Sequence, residues 1–161
     1  GCSSALRYPN GFQYAPYKPY DFNQQTALQE VLWDELEKWQ GVPYKWGGNS
    51  KRGVDCSGLA VIVYKKLFGI SLPRSTKEQV RTGTNVSKKR IKPRDLIFFL
   101  SPKKDRHVGI YLGNRKFTHA SGSKKMVVIS NIDHSYWRRA YWTSRRVLAE
   151  NYAQTGMVKI N

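Results

Sequence analysis

Cys56 has the sequence context of a nucleophile at the start of a helix. It lies in the run Gly-Val-Asp-Cys-Ser-Gly at residues 53–58, ahead of an apolar run that is long enough for a helix. We predict that Asp55 caps this helix and that Cys56 lies in its first turn. The free N–H groups and dipole there favour an anion, so with a cationic neighbour they lower a thiol pKa. The glycines at both ends of the run are expected to leave room for a substrate backbone. The alternative is that Cys56 is a small buried core residue.

A thiol nucleophile needs a base, and the chain has three histidines. His107 opens one predicted strand and His119 lies in the next. A three-residue turn at 113–115 puts both on one face of the hairpin, because residues two apart in a strand share a face. A two-residue turn would put them on opposite faces, so the hypothesis requires a turn of odd length. His107 would then take the thiol proton while His119 holds its ring in the working tautomer. The alternative for each histidine is a purely structural role, and His134 is expected at the surface.

The remaining pattern predicts the elements that must position these side chains. Helices are predicted at 25–40, 56–68 and 76–81, and strands at 95–100, 107–112, 116–120, 126–129 and 145–148. A short helical or irregular piece is expected at 134–141 and a basic loop at 87–94. Asp95 is a competing partner for His107, although its place before a buried strand favours a role in capping the turn.

Composition limits the class of protein. A chain of 161 residues suits one domain with a core, and it contains no run of 18 apolar residues. Its net charge of +17 would attract polyanions such as nucleic acid, anionic lipid or an acidic cell-wall polymer. Two cysteines are too few for a disulfide framework. A nucleic-acid binder remains an alternative on charge alone, but no module of basic and stacking aromatic residues is recognisable.

The first residues, Gly-Cys-Ser-Ser, resemble the end of a bacterial lipoprotein signal. This resemblance implies a lipid on Cys2, and the serine that follows fits export to the outer membrane of a Gram-negative cell. We expect residues 1–23 to be a lipoprotein N-terminus and linker, 24–149 to be the folded domain and 150–161 to be a tail. The lipid would anchor the protein while the domain itself stays outside the membrane.

Several motifs together resemble the NlpC-type cell-wall peptidases, which are papain-like cysteine hydrolases. The motifs are Pro-Tyr-Lys-Trp-Gly-Gly at 43–48, Asp-Cys-Ser-Gly at 55–58, Leu-Pro-Arg at 72–74, Asp-Leu-Ile-Phe-Phe at 95–99, His-Val-Gly-Ile-Tyr at 107–111 and Phe-Thr-His-Ala at 117–120. The resemblance implies an α+β papain-like fold, in which N-terminal helices, one carrying Cys56, pack on an antiparallel sheet. Arg94 departs from the family pattern, which usually has Gly there, and this places the turn conformation in question.

The resemblance also implies an activity and a site. Cys56, His107 and His119 match the family's triad. Tyr44 matches a position that helps to bind the oxyanion, and Asp55, Ser57 and Arg74 match positions that hold the substrate's amine and carboxylate groups.

The implied reaction is amide hydrolysis in peptidoglycan stem peptides, at the D-Ala–diaminopimelate cross-link or the γ-D-Glu–diaminopimelate bond, with no metal or cofactor and by a monomer. The alternatives are a non-catalytic cell-wall binding lipoprotein on the same fold, or an acyltransferase or isopeptidase.

Overall fold

The computed structural model describes residues 6–7, 13–14 and 27–147. Two short strands, β1 (Leu6–Arg7) and β2 (Gln13–Tyr14), pair antiparallel. The helices that follow are α1 (Ala27–Glu37), α2 (Cys56–Phe68), α3 (Thr76–Gln79) and α4 (Ser135–Ala140). The remaining strands are β3 (Asn49–Ser50), β4 (Gly53–Val54), β5 (Thr84–Val86), β6 (Leu96–Leu100), β7 (Arg106–Gly113), β8 (Lys116–Ser121), β9 (Met126–Asn131) and β10 (Tyr141–Arg146). Cys2, most of the predicted linker and the predicted tail at 150–161 lie outside the described residues.

Six strands form one antiparallel sheet in the order β5-β10-β6-β7-β8-β9. The strands predicted at 95–100, 107–112, 116–120 and 126–129 are confirmed as β6 to β9. The strand predicted at 145–148 was misplaced, because β10 begins directly after α4, at Tyr141. The strand was hard to predict because it contains polar residues that are satisfied inside the protein. Ser144 is fully buried, and the Tyr141 hydroxyl lies 2.7 Å from the Ser144 Oγ. The edge strand β5 was not predicted.

Helix α2 starts and stops as its sequence predicts. The Asp55 Oδ1 accepts a hydrogen bond from the Gly58 N–H at 2.7 Å, which caps the helix at its N-terminus. Gly69, at φ 67°, ends it in the left-handed conformation, and its N–H returns to the last helical carbonyls. The apolar side of α2 packs on β7 and β8, so its first residue is brought to the β7–β8 hairpin.

The sheet separates two apolar clusters. The larger one lies between the sheet and helices α1 and α2, and the smaller one lies on the opposite face under α4. Strand β6 serves both: Leu96 and Phe98 join the larger cluster, and Ile97 and Phe99 join the smaller one. This explains why residues 95–100 form a continuous apolar run, since a strand buried on both faces has no polar alternation.

The β7–β8 hairpin keeps the predicted register but reaches it differently. The turn contains two residues, Asn114 and Arg115, both at positive φ (50° and 64°). A bulge between Tyr111 and Gly113 adds the extra residue, so that Ile110 still pairs with Thr118. The prediction of a three-residue turn was therefore wrong. The prediction that both histidines share a face is retained, because a two-residue turn with a one-residue bulge has the same parity.

Arg94 adopts the backbone conformation that the family's usual glycine would favour. Its φ is 88°, a region that L-residues rarely occupy. The turn is held by neighbours: the Arg94 N–H donates to the Tyr111 carbonyl at 2.9 Å, and the buried Tyr64 hydroxyl donates to the Arg94 carbonyl. Asp95 accepts from the Lys92 N–H at 2.8 Å and pairs with Arg146 at 2.8 Å. Asp95 therefore caps this turn, and His107 has another partner.

Candidate active site

A cleft of about 1160 Å³ opens where α2 begins beside the β7–β8 hairpin. All seven residues that the sequence singled out within the described chain line it. They are Tyr44, Asp55, Cys56, Ser57, Arg74, His107 and His119. Residues spread over 76 positions of sequence thus meet in one cleft, because α2 packs on the two strands that carry the histidines. His134, expected at the surface, is exposed at the rim.

The Cys56 thiol occupies the first position of α2 and is half-buried. Burial raises its pKa, and the neighbouring Asp55 carboxylate adds to this effect. Hydrogen bonds from the backbone N–H groups of Val108, Ser57 and Cys56 itself lower the thiol pKa, but not enough to reverse the shift. For the thiol alone, loss of water outweighs the helix N–H groups, whereas the lowered pKa was expected only with a cationic neighbour.

His107 and His119 form a hydrogen-bonded pair. The His107 Nε2 and the His119 Nδ1 are 2.8 Å apart, with the two rings nearly perpendicular. The second nitrogen of His119, Nε2, lies 2.8 Å from the Oγ of Ser130 on β9. This leaves Nδ1 as the His107 nitrogen that can face the thiol, and the next residue, Val108, already directs its N–H at the sulfur.

Trp137, from α4, covers both histidines. Its ring stacks on His107, with centroids 5.5 Å apart, and meets His119 edge-on at 4.8 Å. His119 is only 1% exposed. Loss of water lowers the pKa of His107 to about 4, and burial with the neighbouring His107 lowers the pKa of His119 well below its usual value. The resting pair is therefore a neutral thiol beside a neutral imidazole.

Proton transfer from Cys56 to His107 would work against the raised thiol pKa and the lowered imidazole pKa together, because it forms two opposite charges. It creates a thiolate and an imidazolium next to each other, and opposite charges at close range favour each other's charged form. The Trp137 face stacked on His107 also favours the imidazolium through a cation–π contact. Such an ion pair is the form in which a thiol nucleophile with a neighbouring base would react.

Tyr44 is held beside the thiol by backbone contacts. It bridges to Val54, just before the Cys56 helix, and its N–H donates to the Lys125 carbonyl at 3.0 Å. Burial, followed by the nearby Cys56 and Asp55, raises the pKa of the Tyr44 hydroxyl. The hydroxyl therefore stays protonated and can donate a hydrogen bond in the cleft, as can the backbone N–H of Cys56.

Asp55, Ser57 and Arg74 form one hydrogen-bonded cluster at the helix start. The Arg74 guanidinium contacts both Asp55 oxygens at 3.0 Å and donates to the Ser57 Oγ at 2.8 Å. Asp55 also accepts from the Gly47 N–H at 3.0 Å, which ties the Tyr-Lys-Trp-Gly-Gly loop to the helix cap. The carboxylate is buried while the Arg74 side chain is 45% exposed. A ligand in the cleft would therefore meet the cation more readily than the anion.

The glycines around Cys56 serve the packing of the chain on itself. A Cβ on Gly58 would lie 2.5 Å from the Gly48 carbonyl oxygen and 2.8 Å from the Asp55 Oδ1. A Cβ on Gly53 would lie 2.6 Å from the Lys45 Cβ. Packing of the chain on itself is therefore a sufficient reason for both glycines.

Two residues of the site, Ser130 and Trp137, were missed by the sequence reasoning. Ser130 lies diagonally across from His119 on the paired strand, because Phe117 pairs with Ser130 and His119 pairs with Val128. With the strands and their register predicted, a polar residue placed diagonally opposite His119 could have been recognised as its hydrogen-bond partner. Trp137 gave no such signal, because a short helix rich in aromatic residues could pack against many parts of a protein surface.

The architecture is that of an α+β papain-like domain, in which a thiol at a helix start and two histidines on an antiparallel sheet line the same cleft. The model of the NlpC/P60 family matches residues 41–146, and the chain belongs to that family. In the part of the chain that the structure describes, no group of three or more His, Cys, Asp or Glu side chains is placed to hold a metal ion.

Curated relatives and a solved structure agree with this assignment. The chain is 42% identical over 124 residues to the murein DD-endopeptidase MepS/murein LD-carboxypeptidase of Escherichia coli strain K12, covering 77% of this chain and 65% of the relative. It is 45% identical over 116 residues to the probable endopeptidase NlpC of the same strain, covering 71% and 75%. It therefore spans slightly less than two thirds of the length of the first relative. A Bacillus cereus NlpC/P60 family structure superposes with a TM-score of 0.70 at 32% identity, covering 78% of this chain and 42% of the other.

Proposed function

We propose that this protein is a cysteine endopeptidase that hydrolyses amide bonds in the stem peptides of peptidoglycan. The observation that carries the proposal is the 2.8 Å contact between the His107 Nε2 and the His119 Nδ1, which leaves the His107 Nδ1 for the thiol at the start of α2. Two relatives, at 42% and 45% identity, are named as a murein endopeptidase and a probable endopeptidase. A non-catalytic binding module would have no need of this relay.

The reaction begins with proton transfer from the Cys56 thiol to the His107 Nδ1. The thiolate attacks the amide carbonyl carbon, and the new oxyanion accepts hydrogen bonds from the Cys56 backbone N–H and the Tyr44 hydroxyl. As the C–N bond breaks, His107 gives its proton to the leaving amine and a thioester remains. His107 then takes a proton from water, the hydroxide attacks the thioester, and the sulfur leaves with that proton. The products are one carboxylic acid and one amine.

Substrate would be held through its charges. Stem peptides carry carboxylates from D-Glu, diaminopimelate and their C-termini. Arg74 lies beside the thiol with almost half of its side chain exposed, and Lys77, Arg106 and Lys124 line the same cleft. These cations suit a multiply anionic peptide. The buried Asp55 carboxylate is already paired with Arg74, so a substrate amine would reach it only next to the Arg74 guanidinium.

The test is digestion of purified stem-peptide monomers and cross-linked dimers by wild type, Cys56→Ala and the near-isosteric Cys56→Ser, with products read by mass. Conversion of dimers to monomers by wild type alone would identify a cross-link endopeptidase. Loss of everything beyond D-Glu would identify a γ-D-glutamyl peptidase, and loss of one terminal residue a carboxypeptidase. Binding of peptidoglycan without any product, in protein that melts as a folded domain, would refute the proposal and favour a binding module.

The cell envelope is the proposed location, with a lipid on Cys2 holding the protein as a monomer at the periplasmic face of the outer membrane. The Gly-Cys-Ser-Ser start and the cell-wall relatives support this. Among the described residues, no helix is long and apolar enough to cross a membrane. Expression of the precursor with Cys2 or Cys2→Ala, followed by membrane fractionation and mass measurement, tests the anchor. Equal recovery of both forms in the membrane fraction would count against it.

A further inference from the structure

Ser130 lies at the outer end of a hydrogen-bonded chain that begins at His107. The chain runs from the His107 Nε2 to the His119 Nδ1 at 2.8 Å, and from the His119 Nε2 to the Ser130 Oγ at 2.8 Å. Ser130 lies on β9, one strand beyond the histidines, and lines the same cleft. Nothing in the sequence pattern or in the named relatives gives it a role.

The direction of this chain decides whether His107 can act as a base. In one arrangement His107 carries its proton on Nε2 and donates it to His119, and His119 carries its own on Nε2 and donates it to Ser130. The His107 Nδ1 then has a free lone pair for the thiol proton. In the reverse arrangement His119 donates to the His107 Nε2, and the His107 Nδ1 carries a proton and cannot accept another.

An oxygen at position 130 favours the working arrangement. His119 is 1% exposed, so a proton on its Nε2 must find a partner inside the protein. A buried N–H without an acceptor is disfavoured more than a buried nitrogen lone pair without a donor, because orphaned N–H groups are the rarer case. Without the Ser130 oxygen, His119 would therefore move its proton to Nδ1 and donate it to His107.

We propose that Ser130 is a positioning residue, whose hydroxyl accepts from His119 and thereby keeps the His107 Nδ1 free to take the thiol proton. The inference rests on the proposed function in that it assigns Cys56 and His107 as nucleophile and base. Ser130 need not change partner during the cycle, because protonation of the His107 Nδ1 leaves the other two protons where they were.

Ser130→Ala removes the acceptor, and Ser130→Thr keeps a hydroxyl on a residue that suits a strand. Ser144→Ala is the matched control, because Ser144 is a buried strand serine whose hydroxyl pairs with an aromatic side chain, Tyr141, outside the cleft. A hydrogen bond of ordinary net strength shifts a tautomer equilibrium by up to about tenfold. We expect kcat of Ser130→Ala to fall by about that factor with KM unchanged, and Ser130→Thr to restore most of it.

Two further measurements do not depend on peptidoglycan. The ¹⁵N chemical shifts of the histidine rings report which nitrogen carries the proton, and mass spectrometry of the Cys56 peptide reports its alkylation by iodoacetamide. We expect Nε2–H on both histidines in wild type and in Ser144→Ala, Nδ1–H gaining in Ser130→Ala, and Cys56 alkylation slowing by about tenfold. These results in a protein that cleaves no stem peptide would retain the role of Ser130 and reject the proposed substrate.

The inference is overturned if Ser130→Ala keeps the wild-type ring shifts and alkylation rate. It is equally overturned if Ser130→Thr loses as much activity as Ser130→Ala, or if Ser144→Ala produces the same change in the histidine shifts. Each of those outcomes would make Ser130 a packing residue.

Discussion

Acidification should destabilise this protein through His107 and His119, which are held neutral in a site with little water. In the folded state the pKa of His107 is about 4, against an ordinary value of 6.5. Between these two values the unfolded chain binds a proton that the folded chain does not, so unfolding becomes easier as the pH falls. The stability from this group is complete above pH 6.5 and is lost towards pH 4. At 1.36 kcal/mol per pH unit, His107 alone removes about 3 kcal/mol.

The size of that loss matters because a domain of this kind has a free energy of unfolding of about 5–15 kcal/mol in total. His119, whose pKa is also lowered, adds a loss in the same direction. A carboxylate whose pKa is lowered by an ion pair, such as Asp133 with Arg115, loses stability in acid as well. The contribution of His107 must therefore be isolated by comparing variants at each pH.

Urea unfolding of wild type, His107→Gln and His134→Gln at intervals from pH 7.5 to pH 4 provides the comparison. His107→Gln removes the titrating group, so its stability should fall less than that of wild type, by about 3 kcal/mol over the range. His134 is exposed, and His134→Gln should follow wild type. Parallel curves for wild type and His107→Gln would refute the reasoning, since they would mean that His107 titrates alike in the folded and unfolded chains.

Substitutions at three positions test the helix start. Tyr44→Phe should lower kcat about 100-fold with little change in KM or melting temperature, as loss of an oxyanion donor does; steady-state kinetics on a stem peptide checks this. Asp55→Ala removes a helix cap and the partner of a half-exposed arginine, so urea unfolding should show a loss of about 2–3 kcal/mol. Asp55→Asn keeps an acceptor for the Gly58 N–H and should lose about half as much. Gly58→Ala places a Cβ 2.5 Å from the Gly48 carbonyl and should cost about 1–3 kcal/mol in the same assay; an unchanged stability would contradict the packing described.

The sequence was informative where one physical rule dominates. The cap at Asp55 and the stop at Gly69 were predictable because each needs a particular residue type at a particular backbone position. The shared face of His107 and His119 was predictable because side chains alternate strictly along a strand. The turn that produces this register was not predictable. A two-residue turn with a one-residue bulge and a plain three-residue turn both add an odd number of residues, so they give the same strand pairing.

The sequence was least informative where opposing effects must be weighed in three dimensions. A thiol at a helix start predicts a lowered pKa, but burial and Asp55 act the other way, and their sizes depend on packing that no local pattern encodes. Strand β10 was misplaced because Ser144 and Arg146 are polar residues satisfied inside the protein. A strand with polar residues on both faces carries no alternation signal, so only the assembled sheet shows where β10 begins.

Trp137 connects the packing of α4 to the pH range over which the site works. Its ring lies on His107 and His119, and loss of water is what lowers the pKa of His107 to about 4. Trp137→Ala would admit water and raise that pKa towards 6.5. Removal of the cation–π contact acts in the opposite direction but is worth only about 0.5–2 kcal/mol, less than the shift of 2.5 pKa units represents.

The acid limb of kcat/KM reports the base of the free enzyme, so Trp137→Ala should move this limb upward by about one to two pH units because the desolvation of His107 is relieved. Arg139→Ala, an exposed change on the same helix, is the control and should leave the limb in place. The profile is measured at temperatures where circular dichroism shows each variant folded, because loss of a half-buried tryptophan also weakens the core. A limb that stays near pH 4 in folded Trp137→Ala would mean that the sheet and α2 exclude water without α4. The low pKa would then belong to the histidine pair itself.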